Sequence, residues 1–287
     1  MATPGRGEEI PEEYVKDIGN EERVKYKPFL FIYYIDENTS LEEPIPLFGE
    51  EFVEKNKDNA FLEINLIELE LIPQYFFPER GLQSVKLVLK NDNIDCSHMF
   101  DTGEDNQSYL KDISSLRFFN AEKCKDLSHF FHHCNKIEDY SAIENWDVSN
   151  CQDFSEMFSS SSLKNTNCLS NWDVRRGEDF SKMFYNCKKL KNIGGIKKWD
   201  VRSGKYFNSM FEKCSKLKEI NDLKFWRMTN AKSINYMFCN CSNLVFAESN
   251  YKWGLNKDCE KYGIFEECKK IKNIPENLID SSTCKIF

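Results

Sequence analysis

A period of 27 residues constrains this 287-residue chain more than any other feature. Phe100, Phe131, Phe158, Phe184, Phe211, Phe238 and Phe265 follow one another at intervals of 31, 27, 26, 27, 27 and 27 residues. Twelve positions before the last six stand Phe119, Trp146, Trp172, Trp199, Trp226 and Trp253, a column that takes up every tryptophan in the chain. Three positions after the phenylalanines come Cys134, Cys187, Cys214, Cys241 and Cys268, with Gly103 and Ser161 in the two departing units. A fixed period of about 20 to 50 residues marks stacked units, each of which buries its apolar surface only against its neighbours. Equivalent side chains then form ladders, and burying one large aromatic contributes roughly 1.5–3 kcal/mol before entropy is counted.

Within a unit, Phe180, Met183, Phe184 and Cys187 fall at i, i+3, i+4 and i+7, as do Phe207, Met210, Phe211 and Cys214. That spacing predicts a short amphipathic helix. The following Leu190, Ile193 and Ile196, or Leu217, Ile220 and Leu223, predict a short strand and a turn. The expected fold is therefore α/β, a solenoid of about seven strand-turn-helix coils whose strands pair in parallel at about 4.8 Å per step. The phrases "WDVSNCQDFSEMF", "NWDVRRGEDFSKMFYNCKKL" and "KWDVRSGKYFNSMFEKCSKL" resemble the BspA-like leucine-rich-repeat family over residues 82 to 273. The resemblance implies a curved leucine-rich-repeat solenoid and links the chain to adhesion or protein binding. It supplies no catalytic motif.

Stacked units need caps at both ends. Residues 1–27 read as a flexible or extended acidic segment. Residues 28–81 read as a small β-rich cap, with "PFLFIYYI" a strand, "PLFGEEFVEKNKDN" a turn leading into a short helix and "FLEINLIELEL" hairpin material. Residues 274–287 read as a C-terminal cap or docked tail. No apolar run approaches the roughly 18 to 20 residues needed to span a bilayer. The first residues lack the basic start and apolar middle of a secretory signal, so an intracellular, cytoplasmic location is expected.

The formal charge of −8 hides a gradient. Residues 1–81 carry 8 basic and 19 acidic residues, residues 82–187 carry 11 and 17, and residues 188–287 carry 20 and 11. The basic end supplies the candidate partner-binding positions: Lys191, Asn192, Lys197, Lys218, Glu219 and Lys224, on the expected strand face. They point to a non-catalytic protein-binding scaffold, of the kind that serves as a subunit of a larger assembly. A cell-surface adhesion protein is the alternative, and a nucleic-acid scaffold on the basic half is weaker because the tryptophans are committed to the repeat. No phosphate loop, HExxH or nucleophile elbow is present, so neither enzyme activity, a cofactor nor a small-molecule substrate is expected. The cysteine column offers one thiol per unit and is read as buried free thiols rather than zinc ligands. His129 and His133 have the i, i+4 spacing of a metal pair, but they flank the core residues Phe130 and Phe131 and are assigned to a solvated helix face. No metal is expected.

Overall fold

The stretch "KPFLFIYYI" alternates in burial, with Phe29, Phe31, Tyr33 and Ile35 inward, and it forms the strand around which a sheet assembles. In the computed structural model, which describes residues 26–103, 107–245 and 253–272 with Ile274 and Leu278, β1 (Lys27–Ile35) is followed by β2 (Ile45–Pro46), α1 (Glu50–Asn56), β3 (Ala60–Ile64), β4 (Ile67–Glu70), β5 (Gln74–Tyr75), β6 (Gly81–Leu89) and β7 (Leu110–Asp112). Five of the strands form one sheet in the order β4-β3-β6-β1-β7, and β2 pairs with β5. All of these pairings are antiparallel. The sheet takes in Gly81–Leu89 and Leu110–Asp112, both on the repeat side of residue 81. The expectations for residues 1–25, and for 274–287 apart from Ile274 and Leu278, lie outside the described residues.

The sheet meets the repeats through aromatic contact. Phe31 and Phe48 both lie against Phe100, at 5.0 and 5.6 Å between ring centroids, and Phe100 stacks on Phe131 at 5.9 Å. The turn before α1 comes so close to the first repeat that a Cβ on Gly49 would collide with the carbonyl oxygen of His98. Asn56, at the end of α1, accepts from Asp95 N (3.0 Å) and donates to Asp95 O (2.9 Å). A disulfide between Cys96 and Cys124, two cysteines outside the repeating column, joins the first repeat to the second.

The repeats correct the expected fold. Among the described residues α1 is the one α-helix, and parallel pairing is confined to isolated single-residue bridges such as Asp153↔Asp179 and Asp179↔Tyr206. Among the described residues there is no parallel sheet, so the expected leucine-rich-repeat solenoid of strand-turn-helix coils is not what the chain forms. The reason is visible in the segment Phe180–Cys187. Met183, Tyr185 and Cys187 donate their amides three residues back, to Phe180, Lys182 and Phe184. Phe180, Lys182, Phe184 and Asn186 instead donate to Tyr206, Asn208, Met210 and Glu212 of the next repeat, at 2.7 to 2.9 Å. An α-helix would turn every one of these amides to the residue four back. Lys182 and Asn186 have φ of 54° and 56°, which supplies the left-handed third position of a type II turn twice in succession. Two consecutive turns put Phe180, Met183, Phe184 and Cys187 on one buried face, which is why their spacing imitates a helix. The expected strands at Leu190–Ile196 and Leu217–Leu223 are likewise turns, with 3-10 segments at Gly194–Ile196 and Asn221–Phe225.

Each lateral set of amide bonds brings equivalent side chains together. Phe158, Phe184, Phe211, Phe238 and Phe265 stack at 5.3 to 5.8 Å with nearly parallel rings. The indole Nε1 atoms of Trp146, Trp172, Trp199, Trp226 and Trp253 donate to the carbonyl oxygens of Leu116, Ile143, Leu169, Ile196 and Leu223 in the preceding unit, at 2.8 to 3.0 Å. Phe119 begins that column, 5.3 Å from Trp146. The thiols of Cys187, Cys214, Cys241 and Cys268 donate to Phe158, Phe184, Phe211 and Phe238 carbonyls at 3.0 to 3.1 Å, and Cys134 faces the Phe100 carbonyl at 3.8 Å. One apolar core runs from Phe29 in the sheet to Leu278. No helix among the described residues is long and apolar enough to cross a membrane.

Replacing Trp199 by Ala removes a buried ring that also satisfies the Leu169 carbonyl, and should cost about 3–5 kcal/mol of unfolding free energy in a denaturant titration. The thiols give a second test. Burial pushes Cys187 and Cys268 up to about 12 and raises Cys214 and Cys241 well above the ordinary thiol range. Since the thiolate is the reactive form, iodoacetamide at neutral pH should leave these four unmodified in the native chain and alkylate them after denaturation, as read by mass spectrometry.

Candidate functional site

Two polar groups stand out among the residues that repeat in register but do not pack inward, one around the first three repeats and one along the middle of the stack. All four histidines of the chain gather in the first group. Each repeat carries a left-handed residue two positions before its column phenylalanine, and the first three are His98, His129 and Glu156, with φ of 57°, 57° and 54°. The residue just after the phenylalanine is Asp101 in the first repeat and His132 in the second. Stacking the repeats therefore closes three imidazoles around one carboxylate. His98 Nδ1 lies 3.0 Å from Asp101 Oδ2, and His132 Nδ1 lies 2.8 Å from Oδ1. His129 Nδ1 is 3.2 Å from Oδ2 but off the hydrogen-bonding direction, and it is buried. Burial works against ionisation of Asp101, yet the imidazoles of His129, His132 and His98 outweigh it and hold the carboxyl well below the usual range. The hydrogen bond to Asp101 likewise raises His98.

The outer edges of these imidazoles meet other acids. His98 Nε2 is 3.3 Å from Glu51 on α1, and His132 Nε2 is 3.6 Å from Glu156 Oε2. The other Glu156 oxygen pairs with Lys182 at 2.9 Å. One ligand-capable atom from each of His129, His132 and Glu156 lies within 4.8 Å of the others, and the same holds for His98, Asp101 and His129. The solvated helix face expected for His129 and His133 is absent because there is no helix. His129 turns toward Asp101, while His133 Nδ1 faces the Gly103 carbonyl at 3.3 Å. Residue types alone did not single out Asp101, His132 or Glu156. The signal was available in the register, since Asp101 and His132 share one position in neighbouring repeats and Glu156 shares another with His98 and His129.

The second group is the basic end. Lys191, Asn192, Lys197, Lys218, Glu219 and Lys224 are all exposed, on turns rather than strands. Asn192 Oδ1 accepts from Gly194 N at 2.8 Å and caps its own turn, and Glu219 lies 3.4 Å from Asn221 Nδ2. Lys197 follows the 3-10 segment Gly194–Ile196. Lys224 sits over the ring of Phe225, 5.3 Å from its centroid, and Phe225 is 66% exposed. Lys191 donates its amide to the Lys164 carbonyl at 2.9 Å, so these two lysines lie side by side, and Lys218 takes the same position one repeat on. Among the described residues the side chains of Lys164, Lys191 and Lys218 have no acidic partner. By contrast, Lys205 pairs with Glu178, and Arg175 and Arg202 pair with Asp173 and Asp200.

With the geometry in place, the chain can be set beside known proteins. No curated protein and no solved structure matches it. A family model described as "Mycoplasma protein of unknown function, DUF285" matches residues 94–195 and again residues 192–278. The match is to this family and not to a leucine-rich-repeat one, which corrects the leucine-rich-repeat resemblance as it corrects the expected solenoid. Since the two matches together span more than half of the chain and coincide with the stacked turns, the protein belongs to this family, the Mycoplasma proteins of unknown function DUF285.

Proposed function

We propose that the protein is a non-catalytic scaffold that binds an acidic protein surface along its basic end. The supporting observation is the column Lys164, Lys191 and Lys218. Like charges held directly opposite one another across a ladder destabilise it, and paired columns elsewhere in the stack avoid that cost. A run of lysines without acidic partners is what an anionic partner would neutralise. Exposed Phe225 under Lys224 adds the aromatic element in which interface hot spots are enriched. The rung-to-rung backbone hydrogen bonds fix the spacing of this column, so that binding has the lysine side chains but not the backbone to order.

The test is affinity capture from the source cell's lysate after nuclease treatment, with the native chain beside a Lys164→Glu, Lys191→Glu, Lys218→Glu variant of unchanged circular dichroism. A stoichiometric acidic protein retained by the native chain and lost by the variant is the expected result. Capture that disappears with nuclease, or that is identical for both chains, overturns the reading.

A second reading, a surface adhesion role, is favoured by the Cys96–Cys124 disulfide. Such bonds persist in oxidising compartments and are rare in the cytosol, whereas the scaffold reading takes a cytoplasmic location. Protease treatment of intact cells decides between them: digestion of the chain without lysis is expected for the surface role, and full protection for the cytoplasmic one.

A further inference from the structure

We infer that His129, His132 and Glu156 form a binding site for one divalent ion of the zinc class, with Asp101 as the residue that positions the His132 imidazole. Metal-binding histidines characteristically turn their second ring nitrogen to a carboxylate, which fixes tautomer and ring orientation. Asp101 does this for His132, whose Nδ1 it meets at 2.8 Å, and its other oxygen lies 3.2 Å from His129 Nδ1, off the hydrogen-bonding direction. His132 Nε2 is thereby left for an ion, one ring nitrogen of His129 lies within 4.8 Å of it, and Glu156 of the third repeat supplies the oxygen. The 3.6 Å between His132 Nε2 and Glu156 Oε2 is too long for a hydrogen bond. It is close to the separation of about 3.3 Å between two ligands that are each about 2.0–2.1 Å from a tetrahedral zinc ion. Two imidazoles and a carboxylate with a position left for water suit zinc rather than magnesium or calcium, which favour all-oxygen shells.

The competing set, His98 with Asp101 and His129, is a poorer cage. The rings of His98 and His129 are stacked 4.2 Å apart and only 16° from parallel, so an ion in the plane of one ring lies out of the plane of the other. His98 acts instead as a further hydrogen-bonding neighbour of Asp101. Lys182, 2.9 Å from the second oxygen of Glu156, orients that carboxylate and leaves Oε2 toward the histidines.

The experiment is calorimetric titration of the full chain, stripped with chelator, against Zn²⁺, Mg²⁺ and Ca²⁺. One Zn²⁺ per chain at micromolar affinity or tighter is expected, with no heat from the other two ions at the same concentration. His129→Asn keeps a residue that tolerates the left-handed backbone but removes the imidazole, and Glu156→Gln keeps the side chain's shape; each should weaken zinc at least tenfold. Asp101→Asn should weaken it about 10- to 100-fold, as loss of a ligand-orienting carboxylate does. Thermal unfolding with and without zinc provides the second readout, with a rise in midpoint for the native chain and none for His129→Asn. No zinc binding, or unchanged affinity in folded His129→Asn and Glu156→Gln chains, overturns the assignment and leaves the cluster as hydrogen-bonded packing around Asp101.

Discussion

The structure depends on a division of labour among backbone amides. In each repeat, alternate N–H groups close a local turn and the others reach across to the next repeat, four of them at each junction from Phe180 to Asn186. A buried amide has to be paired, and from Lys182 to Cys187 this pattern pairs each one without a helix or a continuous strand. Its conformational cost is a left-handed residue at every fourth position. His129 and His133, Glu156 and Ser160, Lys182 and Asn186, Ser209 and Lys213 take up those positions in turn. Glycine would meet that demand with less strain, and the last repeat does use Gly263. A side chain elsewhere gives each repeat a polar group at a fixed place on the outer edge.

The same lateral bonds decide which inward side chains work. Adjacent repeats leave carbonyl oxygens facing inward that already accept one backbone amide, as Leu169 O does from Trp172 N and Phe184 O from Cys187 N, and a purely hydrocarbon column would leave their second lone pair unused. Tryptophan and cysteine are the two residues of these columns that combine apolar bulk with a donor, and both spend it on a carbonyl of the preceding repeat. The tryptophan column and the cysteine column are thus hydrogen-bonding devices as well as packing ones. Phenylalanine, with no polar atom, occupies the column between them, where the rings stack on one another and lean against the tryptophans.

Much of this could be read from the sequence, and the part that could not has a definite cause. The register of Phe, Trp and Cys was legible because packing demands the same side chain in every repeat. The local backbone was not, because Phe180, Met183, Phe184 and Cys187 satisfy the helical spacing as well as two successive turns do. Only the left-handed residues distinguish the two, and lysine, glutamate and serine give no sign of adopting that conformation. The error carried into the site. A helix would have put His129 and His133 on one face, whereas turns put His129 opposite Asp101 and hand the role of its neighbour to His132. The disulfide was also illegible, since Cys96 and Cys124 stand outside the repeating column and meet only when the first two repeats stack.

Once side chains are sorted by column instead of by sequence neighbour, the polar composition of the stack becomes informative. Packing keeps the inner columns uniform, but nothing in packing requires the outer ones to be so. Where the outer columns change from one repeat to the next, as from His98 to His129 to Glu156 to Lys182, neighbours complement one another and a local cluster results. Where a column stays the same through Lys164, Lys191 and Lys218, repulsion between neighbours is retained. The first arrangement satisfies itself or takes up something as small as an ion, whereas the second is relieved only by charge brought from outside. The acidic-to-basic gradient along the chain is the coarse trace of that difference: the first repeats hold acids and histidines that close on one another, and among the described residues Lys164, Lys191 and Lys218 form a basic edge without acidic partners.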